Sequence, residues 1–65
     1  MSKYLKIIMK NGDICSIKQE NIAFINTSPS KKENEIYMVG GSYTKITSTD
    51  EISFEKTCKI LGVDL

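Results

Sequence analysis

Two glycine-containing dipeptides, Asn11-Gly12 and Gly40-Gly41, each lie between two short apolar runs of this chain. Asparagine and glycine tolerate the positive φ angles that a two-residue β-hairpin loop requires, so both dipeptides predict hairpins. A two-residue first loop would set Lys10 opposite Asp13 as a cross-strand charge pair. The other expected cross-strand pairs are Met9 with Ile14 and Ile8 with Cys15 in the first hairpin, and Met38 with Tyr43 and Tyr37 with Thr44 in the second.

A third strand between the hairpins and a C-terminal helix complete the expected elements. The run Asn21–Asn26 predicts the strand, and the turn-rich segment Thr27–Asn34 after it predicts an exposed, mobile loop. Ser48 and Glu51 fit a capping box at the start of the helix, and Gly62 fits its left-handed end. The expected strands lie at about residues 3–10, 13–18, 21–27, 35–39 and 42–47, and the helix at about 49–61.

Strict alternation leaves apolar residues on both faces of the expected strands. In the first hairpin one face would carry Leu5, Ile7, Met9 and Ile14, and the other Ile8, Cys15 and Ile17. The helix would turn Phe54, Thr57, Cys58, Ile60 and Leu61 toward the sheet. We expect one mainly β domain over residues 1–65, in which five short antiparallel strands form a curved sheet or a small, partly closed barrel capped by the helix.

A chain of 65 residues cannot cover both faces of such a sheet by itself. We therefore expect a homo-oligomer whose subunits supply the missing cover. The expected interface residues are Ile8, Ile17 and Ile52.

The composition argues against several classes of function. Histidine is absent, which removes the commonest general base and metal ligand, so we expect no enzyme, no metal site and no cofactor. All nine basic residues are lysines and the net charge is only +1, so we do not expect sequence-specific DNA recognition. With no leader-like or long apolar segment, we expect a cytoplasmic protein without membrane contact. In that compartment Cys15 and Cys58 would be buried small apolar residues, with a disulfide bridge or a reactive thiol as the alternatives.

The segment 37–45 combines rings, glycines, hydroxyls and a lysine. The loop glycines allow backbone N–H groups to converge on an anion, and Lys45 adds a positive charge. The tyrosine rings offer flat faces on which a base can stack. The alternative is a plain turn, because Gly-Gly is common in hairpin loops and tyrosine is favoured in strands. The candidate ligand-binding residues are Tyr37, Gly40, Gly41, Ser42, Tyr43 and Lys45.

The segments Ile7–Asp13, Glu20–Ile25, Val39–Tyr43 and Ser48–Ile52 follow one another in a pattern that resembles a known family. They resemble the small FlbD-type proteins, which are described as flagellar or swarming-motility regulators, and similar short phage and clostridial proteins. In that family a hairpin leads to an asparagine-isoleucine strand, a second hairpin, and a short helix that begins with serine and acidic residues. The resemblance covers most of the chain apart from the longer Thr27–Asn34 loop. It implies the fold and assigns no catalytic residue.

These features predict a non-enzymatic homo-oligomer that holds a small phosphorylated, nucleotide-like signal, as a phage protein that evades host immunity would. One alternative is a protein–protein adaptor or inhibitor that docks on a larger host protein, either through an exposed strand edge or through Ile52 and the lysine-containing loop. The other is a FlbD-like regulator of gene expression.

Overall fold

The computed structural model describes residues 3–9 and 11–65 and confirms a mainly β fold with one C-terminal helix. Over these residues all strand pairings are antiparallel. The elements in chain order are β1 (Tyr4–Ile8), β2 (Ile14–Lys18), a short 3-10 helix (Gln19–Asn21), β3 (Ile22–Ser28), β4 (Glu33–Met38), β5 (Tyr43–Thr47) and α1 (Glu51–Leu61).

The five strands form two separate sheets. One is the hairpin β1-β2, and the other has the order β3-β4-β5. The two sheets are not closed into a barrel, because β1 and β5 are not paired with each other. This leaves the facing surfaces of the two sheets to be joined by side-chain packing.

An isoleucine cluster joins the inner faces of the two sheets. Ile7 and Ile17 come from the hairpin, and Ile36 and Ile46 come from the three-stranded sheet. All four are buried. Phe54, Thr57 and Cys58 on α1 are buried and Leu61 packs against the cluster, as the apolar stripe predicts. Ile60, which was also expected to face the sheet, is 42% exposed.

The first hairpin turns through a loop one residue longer than predicted. The Met9 N–H donates to the Asp13 carbonyl, the Gly12 N–H donates to the Met9 carbonyl, and Gly12 has φ of +93°. This is a G1 β-bulge, in which a glycine with positive φ takes the extra position. The predicted register was therefore wrong: Ile8 lies opposite Ile14, not Cys15. The predicted pair of Lys10 with Asp13 lies outside the described residues.

The second hairpin has the same one-residue difference. Here the Met38 N–H donates to the Ser42 carbonyl and the Gly41 N–H donates to the Met38 carbonyl. Gly40 and Gly41 both have φ near +100°, which glycine adopts without steric cost. Tyr37 consequently lies opposite Tyr43, where a two-residue loop predicted Thr44.

Half of the segment predicted as a long loop, Thr27–Asn34, is strand. β3 runs to Ser28 and β4 begins at Glu33, so only residues 29–32 connect them. The Lys31 N–H donates to the Ser28 carbonyl within this turn. The polar composition was misleading because Asn34 is a fully buried residue of the strand, held by hydrogen bonds to Thr27 and Cys58.

The helix begins later than predicted, at Glu51, with Asp50 as its N-cap. Asp50 Oδ1 accepts a hydrogen bond from the Ser53 N–H at 2.8 Å. Ser48, predicted as the cap, instead donates its N–H to the Lys32 carbonyl and extends the β4-β5 ladder. The predicted end is correct, because Gly62 adopts φ of +79° and the Val63 N–H returns to the Cys58 carbonyl.

Candidate binding surface

The outer face of the three-stranded sheet carries a row of three aromatic rings, which we call the ring ladder: Phe24, Tyr37 and Tyr43. The register brings them together, because Phe24 and Tyr43 are the partners of Tyr37 on either side. The Phe24 and Tyr37 ring centroids are 4.4 Å apart with 11° between the planes. The Tyr37 and Tyr43 centroids are 5.3 Å apart with 17° between the planes.

Each end of the ring ladder presents an open aromatic surface. Tyr37 is stacked on both sides and is half-buried, so both its faces are occupied. Phe24 is 57% exposed and Tyr43 is 55% exposed. A flat ligand can therefore extend the stack at either end without displacing a ring.

A polar row lies directly beside the ring ladder, where Asn26, Glu35 and Lys45 are cross-strand neighbours. Asn26 Nδ2 donates to Glu35 Oε1 at 3.1 Å. Lys45 Nζ lies 3.9 Å from Oε1 of Glu33, in a long ion pair whose lysine side chain is 46% exposed. Such an ion pair contributes little to stability, so Lys45 is free to turn toward a ligand.

A hydrogen bond from Tyr37 connects the ring ladder to the polar row. Its hydroxyl donates to Glu35 Oε2 at 3.5 Å. Partial burial and the nearby Glu35 carboxylate raise the pKa of the Tyr37 phenol above its usual value. The phenol therefore stays neutral at pH 7 and remains a hydrogen-bond donor.

The predicted ligand-binding residues are only partly brought together. Tyr37, Tyr43 and Lys45 lie on one face, as two neighbouring rows of the same sheet. Gly40, Gly41 and Ser42 form the exposed end of the hairpin, where the Gly41 N–H is used by the Met38 carbonyl and is not available to an anion.

Sequence reasoning missed Phe24, Asn26 and Glu35 as members of this surface. They join it through the β3-β4 pairing, which contains a bulge between Ile22 and Phe24. Strict alternation cannot predict the face of a residue beyond such a bulge. The usable signal was the spacing: Phe24 and Asn26 are two residues apart and so share one face of a strand, and the polar Asn26 marks that face as outward.

The three predicted interface residues do not share one surface. Ile8 is 76% exposed and pairs with Ile14, which is 66% exposed, on the outer face of the first hairpin. Ile17 is only 5% exposed and lies in the isoleucine cluster. Ile52 is exposed on α1.

Cys15 is half-buried against the isoleucine cluster, Cys58 is buried, and both are free thiols. Among residues 3–9 and 11–65, no three acidic or cysteine side chains are grouped so that they could hold a metal ion. In the same part of the chain, no helix has the length and apolar character needed to cross a membrane.

No protein-family model matches the chain, and no curated protein or solved structure is significantly similar to it. The resemblance to FlbD-type proteins and the phage origin therefore stay predictions.

Proposed function

We propose that this chain is a non-enzymatic binding protein that holds a small nucleotide-like ligand on the outer face of its three-stranded sheet. The observation that carries the proposal is the ring ladder, whose two end rings are more than half exposed. An exposed aromatic face gains free energy when a base stacks on it, by about 1–3 kcal/mol per base. Binding without turnover would remove such a ligand from solution, so the protein would act by sequestration.

The charges beside the ring ladder favour a ligand with few phosphates. Lys45 is two residues from Tyr43 along β5, about 7 Å away, and can meet a phosphate of a base stacked on that ring. Glu33 and Glu35 lie in the same region and would repel a polyphosphate. Glu35 can accept a hydrogen bond from an exocyclic amino group of a base. These contacts favour a nucleoside monophosphate.

Calorimetric titration with adenosine monophosphate tests the proposal. We expect Tyr43→Ala to weaken binding by about tenfold or more, because the terminal stacking face is lost. The matched control is Tyr4→Ala, since Tyr4 is also 55% exposed but lies on the other sheet. Absence of heat with the wild-type protein, or equal losses in the two variants, would contradict the proposal.

Comparison of adenosine with its monophosphate isolates the role of Lys45. Wild-type protein is expected to prefer the monophosphate, and Lys45→Ala is expected to bind both compounds equally. Lys31→Ala is the control, because Lys31 is an exposed lysine in the turn between β3 and β4. If the Lys45→Ala variant still prefers the monophosphate, Lys45 does not contact the phosphate of the ligand.

We further propose that the protein forms a homo-oligomer through the outer face of the first hairpin. Ile8 and Ile14 are directly opposed there and together form an exposed apolar patch. Burial of apolar surface contributes about 25 cal/mol per Å² removed from water, so this patch favours self-association.

A further inference from the structure

A groove separates the open edges of the two sheets. It lies between β1 and β5, has α1 along one side, and has a volume of about 430 Å³. The two strands flank it without being hydrogen-bonded to each other. The groove is distinct from the ring ladder, none of whose three residues lines it.

The edge of β1 presents unpaired backbone groups to this groove. The Met9 N–H bonds to Asp13 and the Gln19 N–H bonds to Lys3, so the odd-numbered residues of this strand direct their backbone groups toward β2. In an antiparallel ladder the alternate residues direct theirs the other way. The N–H and C=O groups of Lys6 and Ile8, which line the groove, therefore point away from β2.

The edge of β5 has the same arrangement. The Ser48 N–H bonds to Lys32 and the Met38 N–H bonds to Ser42, so the even-numbered residues bond toward β4. The backbone groups of Thr47, which also lines the groove, accordingly point away from β4. The groove thus has strand-pairing groups on both of its long sides.

The side chains that line the groove define the partner it suits. Lys6 and Lys56 contribute positive charge, and no described lining residue is a carboxylate. Ile7 and Ile46 form an apolar floor that is continuous with the core. An occupant with alternating acidic and apolar side chains would satisfy both features.

We propose that this groove binds an extended acidic segment of a partner protein, which pairs with the free edge of β1 as an added strand. One set of its side chains faces Lys6, and the alternate set packs toward Ile7 and Ile46. β-Strand addition uses main-chain hydrogen bonds for affinity and alternate side chains for specificity. A second copy of this chain suits the groove less well, because the open edges of β1 and β5 carry the exposed lysines Lys6 and Lys45, which would oppose each other.

Three labelled peptides test the proposal by fluorescence anisotropy. The first has about eight residues in which glutamate alternates with valine, and we expect it to bind. The second has lysine in place of glutamate, and we expect binding at least about tenfold weaker because like charges meet in the groove. The third keeps the glutamates but carries N-methyl groups on the amides that face β1, and we expect no measurable binding because strand pairing is blocked.

A charge-reversal variant assigns the binding to the groove. Lys6→Glu is expected to weaken binding of the glutamate peptide by about tenfold and to strengthen binding of the lysine peptide. Lys31→Glu has the same change of charge outside the groove and should leave both affinities unchanged. Lys6 is exposed, and equal urea midpoints for the two variants will show that both remain folded.

The proposal is overturned if the wild-type protein does not bind the glutamate peptide, or if the N-methylated peptide binds as tightly. Equal effects of Lys6→Glu and Lys31→Glu would also overturn it. A dimer of the free protein that dissociates on Lys6→Glu but persists on Ile14→Lys, which changes the outer face of the first hairpin instead, would assign the groove to a second copy and overturn it as well.

Discussion

Asn34 links the three-stranded sheet to the helix through polar contacts in an apolar interior. Its side chain is fully buried. The Thr27 hydroxyl donates to Asn34 Oδ1 at 2.7 Å, and Asn34 Nδ2 donates to the Cys58 sulfur at 3.5 Å. Because a buried polar group needs partners, these contacts favour one register of β3 on β4 and one position of α1.

Replacement of Asn34 by alanine is expected to lower the free energy of unfolding by about 2 kcal/mol. The Thr27 hydroxyl would lose its acceptor, and a small cavity would form beside Cys58. Asn26→Ala is the matched control, because Asn26 is an exposed asparagine whose loss should change the free energy by less than about 0.5 kcal/mol. Urea denaturation measures both, and equal losses would contradict the role given to Asn34.

Asp50 makes the start of the helix sensitive to acid. The Ser53 N–H that donates to its carboxylate lowers the pKa of Asp50 below its usual value. A carboxyl group whose pKa is lower in the folded state stabilises that state above the unfolded pKa. This stabilisation disappears as the pH falls through the lower, folded-state pKa.

In the Asp50→Asn variant, the free energy of unfolding is expected to fall less on acidification than in the wild type. Asparagine also caps helices, so the hydrogen bond to Ser53 is retained while the titrating group is removed. Urea midpoints at about pH 6 and about pH 3 should differ less for this variant than for the wild type. If the two midpoints differ by as much in the variant as in the wild type, the helix cap does not contribute to the loss of stability in acid.

The hairpins show how far residue patterns predict an element. Asn11-Gly12 and Gly40-Gly41 correctly predicted the two hairpins, but both loops have one residue more than expected. The reason is physical: a glycine that tolerates positive φ serves equally in a two-residue loop and in a G1 bulge. The dipeptides alone do not distinguish the two registers.

The extra residue changes the inner and outer faces of the first hairpin. A shift of one residue moves every side chain of one strand to the opposite face. Ile17 and Cys15 consequently join Leu5 and Ile7 on the inner side, and Ile14 moves outward beside Ile8. Alternation had predicted apolar residues on both faces of the hairpin. In the structure they are mainly on the inner face, and the outer face keeps one apolar patch.

The strand content and the C-terminal helix could be predicted from the sequence because they follow from turn residues, apolar periodicity and a glycine stop. The division into two sheets could not, because it depends on which edges pair. Tyr37 and Tyr43 were predicted as ligand-binding residues, but the predicted register, with Tyr37 opposite Thr44, placed their rings on opposite faces of the sheet, so the ring ladder itself was not predicted. Phe24 was missed because its position depends on a bulge and on the β3-β4 register.

The proposed oligomer is a property of the whole molecule. Ile14→Lys places a charge in the outer patch of the first hairpin and is expected to convert the oligomer to monomer. Val39→Lys is the control, because Val39 is comparably exposed in the loop of the second hairpin. Sedimentation at micromolar concentration measures both, and a wild-type protein that sediments only as a 7.3 kDa species would refute self-association.

The binding surface itself is tested most directly by an NMR titration of isotope-labelled protein with adenosine monophosphate. We predict that the backbone amide shifts will change most at Phe24, Tyr37, Tyr43 and Lys45, with little change in the first hairpin. Unchanged spectra at saturating ligand, or changes centred on Tyr4 and the first hairpin, would contradict the assignment of the outer face as the nucleotide site.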